Sequence, residues 1–333
     1  MDQCVEPKLS VIVPTYNRSD YVRQCLRSLR ACGVADLEII VADDGSTDDT
    51  EIVVAQTDPT ARYFRQANTG TPATARNRGF ELSRGRYVAF LDCDDEWIPD
   101  APVRAVELLD RYPEVDALFA EARMGNPAEG YRSWIEMAGQ STFFELPCRR
   151  PEADFRILER VPFFRRMAER NPVFIGAVAM RREAFARCGG FDPGLRGAAD
   201  WELWLRMASR LTFGYLHKPL AVYTRHLDNM SSDEEGMSRE FCMALQRVRT
   251  RCADLAPAER AWVADRLRHH LFGYAYRAYD RDDYSEARRR FAELIRTCGL
   301  DRQGVLHWLL SALPFGLTGS VRRLKWRLSS GKV

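Results

Sequence analysis

Short apolar runs alternate with amphipathic stretches through roughly the first third of the chain. Residues 9–13 form a mostly apolar run closed by Pro14, the signature of a buried strand rather than a helix. Ser19 or Asp20 is placed to cap a helix that runs to about Cys32, with Gly33 as its stop. Residues 37–42 read as a second strand, followed by an Asp/Gly/Ser turn and a helix over 48–56. A short third strand is expected over 62–65, a helix over 72–83, and a fourth strand over 87–91. The next helix starts near Pro102, a residue at home in a first turn, and 117–120 make a fifth strand. This alternation predicts an α/β fold with a mostly parallel sheet covered on both faces. In such sheets ligands sit at the carboxyl ends of strands, where the first, second and fourth strands here run into polar clusters.

Residues 123–170 show no regular pattern. A strand resumes over 173–180, and 200–210 read as a helix with Leu203, Trp204 and Met207 on one face. Residues 213–216 and 221–224 look like closing strands, and from about 234 the pattern is only helical. The polar cluster DNMSSDEEG marks a boundary, which gives an expected catalytic domain over 1–230 and a helical region over 231–333. Residues 271–295 look like one tetratricopeptide-type hairpin. A single unit does not make an array, and a helical pair packed on the core is the expectation.

Composition narrows the picture. The chain has 333 residues, 46% of them hydrophobic, which is ample for one large core with a helical appendage. Lys+Arg is 49 against 47 Asp+Glu, so a net charge of +2 makes no electrostatic case for a nucleic-acid partner. The nine Cys are scattered without a C-x-x-C pair, as reduced thiols of a cytoplasmic protein are. The N-terminus does not read as a signal peptide, and no apolar run is long enough to cross a bilayer. At the other end, WLLSALPFGLTG is followed by Arg322, Arg323, Lys325, Arg327 and Lys332 with no acid among them. That suits an interfacial helix on the anionic face of a membrane. A terminal helix packing Trp308, Leu309, Leu313 and Leu324 on the protein is an equal alternative.

Four clusters carry candidate chemistry. VIVPTYNR, residues 11–18, presents an aromatic ring, an amide and a guanidinium at a strand tip, groups that suit a base and a diphosphate. In VADDGSTDDT, an N-cap run explains Ser46, Thr47 and Asp48 but not Asp43 and Asp44, which are costly at a buried strand end unless partnered. Asp43 is placed to accept hydrogen bonds from a nucleobase imide or ribose. In FLDCDDEW, an apolar strand runs into Asp92, Asp94 and Asp95, which repel one another unless a hard divalent cation neutralises them. Such a cation also bridges to a diphosphate and stabilises it as a leaving group. In GAADWELWLRM, Asp200 lies at a helix start, where a cap is the plain alternative. Trp201 and Trp204 beside it suit either a sugar-stacking wall or the core.

The ordered set VIVPTYNR, VADDGS, ANTGTPATARNRG, FLDCDDEW, GGFD and ADWELWLR resembles the family-2 glycosyltransferases with the GT-A fold, over roughly residues 8–230. The resemblance implies an inverting transfer from a nucleoside-diphosphate-sugar, by default a UDP-sugar, to a hydroxyl of a glycan or lipid-linked acceptor in cell-surface polysaccharide synthesis. It puts Pro14, Tyr16, Arg18, Asp43, Asp44, Asn68, Arg76, Asp92 and Asp94 on the donor. It puts Asp94, Asp95 and His226 on a manganese or magnesium ion, and Asp200 in the role of catalytic base. Members commonly carry Glu-Asp where this chain has Ala199-Asp200. A physical reason also favours Asp200, since carboxylates tied to ribose and cation are poor proton acceptors. Its neighbour Glu202 points about 200° away around a helix and pairs with Arg206 four residues on, as in a common surface arrangement. Two rivals are a nucleotidyltransferase, which calls for a Gly-rich, Lys-bearing phosphate loop where this chain has Tyr-Asn-Arg, and a non-catalytic nucleotide-sugar-binding module.

Overall fold

The computed structural model describes residues 6–126, 130–137, 139, 141–226, 229–230, 233–300 and 302–312. The first half runs β1 (Leu9–Thr15), α1 (Ser19–Arg30), β2 (Leu37–Asp43), α2 (Thr50–Thr57), β3 (Arg62–Arg65), α3 (Pro72–Leu82), β4 (Tyr87–Phe90), β5 (Glu96–Trp97), α4 (Ala101–Arg111) and β6 (Ala117–Asn126). Then follow β7 (Gly130–Ser133), α5 (Trp134–Met137), β8 (Cys148–Glu152), β9 (Phe155–Leu158), α6 (Arg160–Glu169), β10 (Val178–Arg181), α7 (Arg182–Cys188), α8 (Ala199–Ala208) and β11 (Phe213–Tyr223). Four helices close the described chain: α9 (Glu234–Arg251), α10 (Pro257–Asp280), α11 (Tyr284–Cys298) and α12 (Arg302–Leu310).

One sheet in the order β3-β2-β1-β4-β10-β6-β11-β9-β8 forms the spine, with β5 and β7 paired at its side. Its first four strands are parallel. β1 is buried along its whole length, which is why it reads as a mostly apolar run. Pro14 lies inside this strand rather than ending it, because β4 stops at the Ile12–Phe90 pair and asks no N–H of the proline. The chain leaves β1 toward β2 on one side and β4 on the other, so a crevice opens at their carboxyl ends.

The other half departs from the expected simplicity. β10 runs antiparallel to both β4 and β6, while β11 returns parallel to β6. Of the expected 173–180 strand only 178–180 are paired, in β10, which runs on to Arg181; Ile175–Ala177 form a 3₁₀ turn against the crevice. The two closing strands are one, β11, broken by register shifts around Pro219, where a proline cannot donate to the ladder. The unassigned stretch holds β7, α5, β8, β9 and α6, elements too short or too polar for their periodicity to show. Neither Ser19 nor Asp20 caps α1: Arg18 is the N-cap residue, and Asp48 from the neighbouring loop accepts the Ser19 N–H at 3.2 Å.

The hairpin of α10 and α11 packs on α9, and α10 also meets α6. Trp201 shows why these helices stay on the core. It is buried, its indole N–H donates to the Met167 carbonyl at 2.7 Å, and its ring meets Phe241 and His270 at 5.3 and 5.7 Å. Trp204 is likewise fully buried, so the core reading of both tryptophans holds and the sugar-stacking one does not. α12 buries His307 among Phe272, Tyr276, Tyr279 and Phe291 but leaves Leu306 and Leu309 half exposed. Leu313, Leu324 and the basic run lie outside the described residues. No helix among the described residues is long and apolar enough to cross a membrane.

Candidate active site

The crevice at the ends of β1, β2 and β4 is a cleft of about 580 Å³. Pro14, Tyr16 and Arg18 enter it from the β1 loop and Asp44 from the β2 loop. Asn68 and Arg76 come from the α3 approach, Asp92, Asp94 and Asp95 from the β4 loop, and Asp200 from α8. Residues from sites far apart in the chain therefore converge on one concavity.

Asp43 is the exception. It is fully buried, its Oδ1 accepts the Ser46 N–H and hydroxyl at 2.9 and 2.6 Å, and its Oδ2 accepts the Tyr63 hydroxyl. Strand alternation is the reason: Asp43 is the last paired residue of β2 and points away from the crevice, so Asp44 is the one that faces it. Asp44 in turn holds the 66–70 loop, accepting Gln66 Nε2 at 2.6 Å, the Thr69 hydroxyl at 2.9 Å and the Gly70 N–H at 3.1 Å. Gly45, with φ +89°, is required at this turn, since a Cβ there would sit 2.9 Å from the Asn68 nitrogen.

Across the cleft Arg76 is buried and ion-pairs with Asp92, and its ring-facing side lies over Phe191 at 5.4 Å. Arg76 Nε is buried with no hydrogen-bond partner among the described residues. Asp94 Oδ2 lies 2.9 Å from His226 Nε2, and the imidazole stacks on Tyr21 at 5.0 Å. Burial, and then the charge of Asp92, hold the Asp94 carboxyl above its ordinary range despite that histidine. Asp95 is almost wholly enclosed; Oδ1 accepts the Thr224 N–H at 3.1 Å, and burial with the charges of Asp94 and Asp92 pushes it well up.

The donor set suits a hard cation at Asp94 and His226. Asp94 lines the cleft under the repulsion of Asp92, His226 Nε2 meets its carboxylate at 2.9 Å, and His226 Nδ1 is buried without a hydrogen-bond partner among the described residues. Asp95 lines the cleft beside them, with its Oδ1 held by the Thr224 N–H just past β11. Among the described residues no three His, Cys, Asp or Glu side chains gather around one point.

Asp200 occupies the second position of α8 and is half-buried, with Asn171 Nδ2 3.2 Å from its Oδ2. Burial pushes its carboxyl up to about 6, with the Asp92 charge acting in the same sense and the Trp201 N–H and Arg76 against it. Glu202 is not at the surface. It is fully buried and grips Arg206 through two bonds of 2.7 Å, while Arg206 also donates to the Gly190 carbonyl at 2.5 Å. The expected partner is right and the expected exposure is wrong, because α9 covers that face. Several lining residues went unforeseen: Thr71, Ile175, Arg196, Gly197, Tyr223, Met230 and Met237. The Arg-Gly pair just ahead of AADWELW was the one available signal.

The family described as glycosyl transferase family 2 matches residues 10–188. The chain belongs to that family. A Campylobacter jejuni relative named GalNAc(5)-diNAcBac-PP-undecaprenol beta-1,3-glucosyltransferase is 42% identical over 99 residues, 28% of this chain and 32% of the relative. The chain spans about a third of the length of the first curated relatives it matches. Staphylococcus aureus TarS 1-349 in complex with UDP-GlcNAc is similar in structure with a TM-score of 0.62 at 18% identity, covering 87% of this chain and 81% of TarS. The Pyrobaculum calidifontis mannosyltransferase PcManGT in complex with GDP-Man and Mn2+ gives 0.58 at 18% identity, covering 99% and 82%. These likenesses show the expected GT-A-like fold: a mixed sheet with a parallel nucleotide half, followed by C-terminal helices.

Proposed function

We propose that this family-2 member is an inverting glycosyltransferase that moves a sugar from a nucleoside-diphosphate donor, a UDP-sugar first, to an acceptor hydroxyl. The observation that carries the reading is a carboxylate, Asp200, with a pKa raised to about 6, in the same cleft as the Asp92–Arg76 pair and Asp94. A base poised near neutrality accepts the acceptor's proton as the bond to the anomeric carbon forms. Tyr16, Arg18, Asp44, Asn68 and Arg76 are assigned to the donor, with Asp43 acting behind them as the anchor of the β2 turn. Asp94 and His226 would hold a divalent cation, manganese or magnesium, whose chemistry is to neutralise the departing diphosphate. UDP-GlcNAc in TarS and GDP-Man with Mn2+ in PcManGT support a nucleotide-sugar and a cation. The Campylobacter relative's name supports a lipid-linked or glycan acceptor in surface-polysaccharide assembly. Family membership disfavours the nucleotidyltransferase rival.

We further read residues 1–230 as the catalytic domain and 231–333 as the helical region. The same reading puts the protein in the cytoplasm, with its C-terminus meeting the cytoplasmic face of the membrane. Half-exposed Leu306 and Leu309 beside Arg302 support that contact. The test of function is release of free nucleoside diphosphate from UDP-glucose, UDP-N-acetylglucosamine, UDP-galactose and GDP-mannose with manganese. Release that persists in excess chelator excludes the cation. Release unchanged in Asp200→Asn excludes the base. Deleting residues 304–333 should abolish sedimentation with anionic vesicles, and unchanged sedimentation removes the membrane contact.

A further inference from the structure

α8 begins without a side-chain cap, since its N-cap residue is Ala198. The segment that delivers it, residues 192–198, is instead held by Asp192 at its own start and by side chains of other elements. Gly194 N–H donates to Asp192 Oδ1 at 2.8 Å, and the Leu195 carbonyl accepts from Thr71 Oγ1 at 3.0 Å. The next two N–H groups, of Arg196 and Gly197, both donate to Glu240 Oε2, at 2.8 and 3.2 Å. Glu240 belongs to α9, in the helical region after the cleft-forming half of the chain. Three further α9 side chains reach the same segment. Arg247 and Arg251 ion-pair with Asp192 at 3.2 and 2.9 Å, and Met237 packs so closely that a Cβ on Gly197 would lie 2.5 Å from its sulfur. Residues 237, 240, 244, 247, 248 and 251 recur at helical spacing on one face, with Ala244 and Val248 buried between the polar contacts.

We infer that α9 is a clamp on the loop that carries Asp200, and that Glu240 is its positioning residue, fixing two consecutive backbone N–H groups so that Asp200 faces the cleft. The inference rests on the reading of Asp200 as general base. Two bonds from backbone N–H groups to one carboxylate oxygen are charge-assisted and directional, which is what a loop without a cap lacks. Glu240 does not itself line the cleft, but Arg196 and Gly197, the two residues it holds, do, so its effect on the reaction passes through the loop. The helical region is on this account a working part of the catalytic unit, and the 230/231 division of the chain is not a division of function.

The test compares wild type, Glu240→Ala, Glu240→Gln and Asp200→Asn. Turnover is read as nucleoside-diphosphate release to water from the best of the four donors above, and donor-site integrity as affinity for UDP. Glu240→Ala should slow release by about 10- to 100-fold with UDP affinity unchanged, the scale of a base displaced by a fraction of an ångström to an ångström. Glu240→Gln, whose amide oxygen still accepts both N–H groups, should recover most of the rate. If Glu240→Ala does not fold, Glu240→Asp, with its carboxylate drawn back from the loop, replaces it and should be slowed too. Full-speed release in the alanine variant, a parallel loss of UDP affinity, or no rescue by glutamine each overturns the inference. Wild-type release in Asp200→Asn removes the base assignment and the inference with it. A slow Asp200→Asn beside a fast Glu240→Ala removes the inference alone.

A second readout needs no turnover. The melting-temperature difference between a protein and its Asp200→Asn counterpart, followed over about pH 4–8, reports the ionisation of Asp200. Arg76 and Asp92 are the charged groups that bear on that carboxyl. In wild type the midpoint is expected near 6. In Glu240→Ala it should fall toward the ordinary carboxylate value as the loop loosens and water enters. A midpoint that stays put overturns the inference.

Discussion

On the β2 side of the cleft, Asp43 and Asp44 are both buried, and donors surround them: Ser46, Tyr63, Gln66, Thr69 and Gly70. On the β4 and α8 side, Asp94 meets His226, Asp95 the Thr224 N–H, and Asp200 Asn171 and the Trp201 N–H, yet burial pushes all three upward. A buried carboxylate supplied with donors shapes the fold around it, as Asp43 does for the β2 turn and Asp44 for the 66–70 loop it presents to the cleft, because its desolvation is offset inside the fold. One without them is a standing cost, relieved by a cation, a proton or a substrate. The cleft thus has a wall that shapes and a wall that reacts.

Four substitutions break or sharpen that contrast. The largest effect is expected at Asp94→Ala, which should cut nucleoside-diphosphate release by about 10³-fold or more, several kcal/mol of transition-state stabilisation. Its melting temperature should hold, since a carboxylate held under desolvation has been removed. A large drop in melting would move Asp94 to the scaffold wall. Next is Asp200→Asn, with release slowed by about 10²–10⁴-fold and UDP affinity retained. A carboxyl raised to about 6 favours folding fully below its unfolded value and loses that contribution as pH rises through 6. The asparagine variant should therefore melt at or above wild type at pH 7. Wild-type turnover itself should fall as pH drops below about 6 and the base is protonated. A pH-independent rate across that range contradicts the assignment.

Glu202→Gln should do the reverse. Leaving Arg206 buried with half its partner costs about 3–5 kcal/mol of stability, read by urea unfolding, while turnover per folded molecule persists. If Glu202→Gln is stable and dead and Asp200→Asn active, the two roles exchange. The smallest effect is expected at Asp43→Ala, about 1–3 kcal/mol for orphaning Ser46 and Tyr63. UDP affinity should follow only through the loosened turn. A selective loss of UDP affinity without destabilisation would return Asp43 to direct contact.

Much of the parallel half was legible because its cues are local. β1, β2 and β4 are mostly apolar runs that end in the polar clusters at the cleft, and Asp92 to Asp95 stand three and fewer residues apart. Asp43 against Asp44 was misread because one residue of strand alternation separates the buried side from the open one. Glu202 was misread because helical spacing reveals its partner but not what covers the pair. Tyr223, Met230 and Met237 had no local cue, since nothing in their neighbourhoods marks them as cleft residues.

By itself, the order of short apolar runs and acidic turns determined a nucleotide-binding sheet, the strand ends that form its cleft, and the family to which the chain belongs. Periodicity and spacing act within a few residues, and those properties live within a few residues. The antiparallel insertion of β10, the burial of Glu202 and Arg206, and the approach of His226 to Asp94 across the fold were decided only in three dimensions. So was the grip of α9 on the Asp200 loop. Each depends on which segment lies over which, and that is settled by packing the whole core rather than by any stretch of chain.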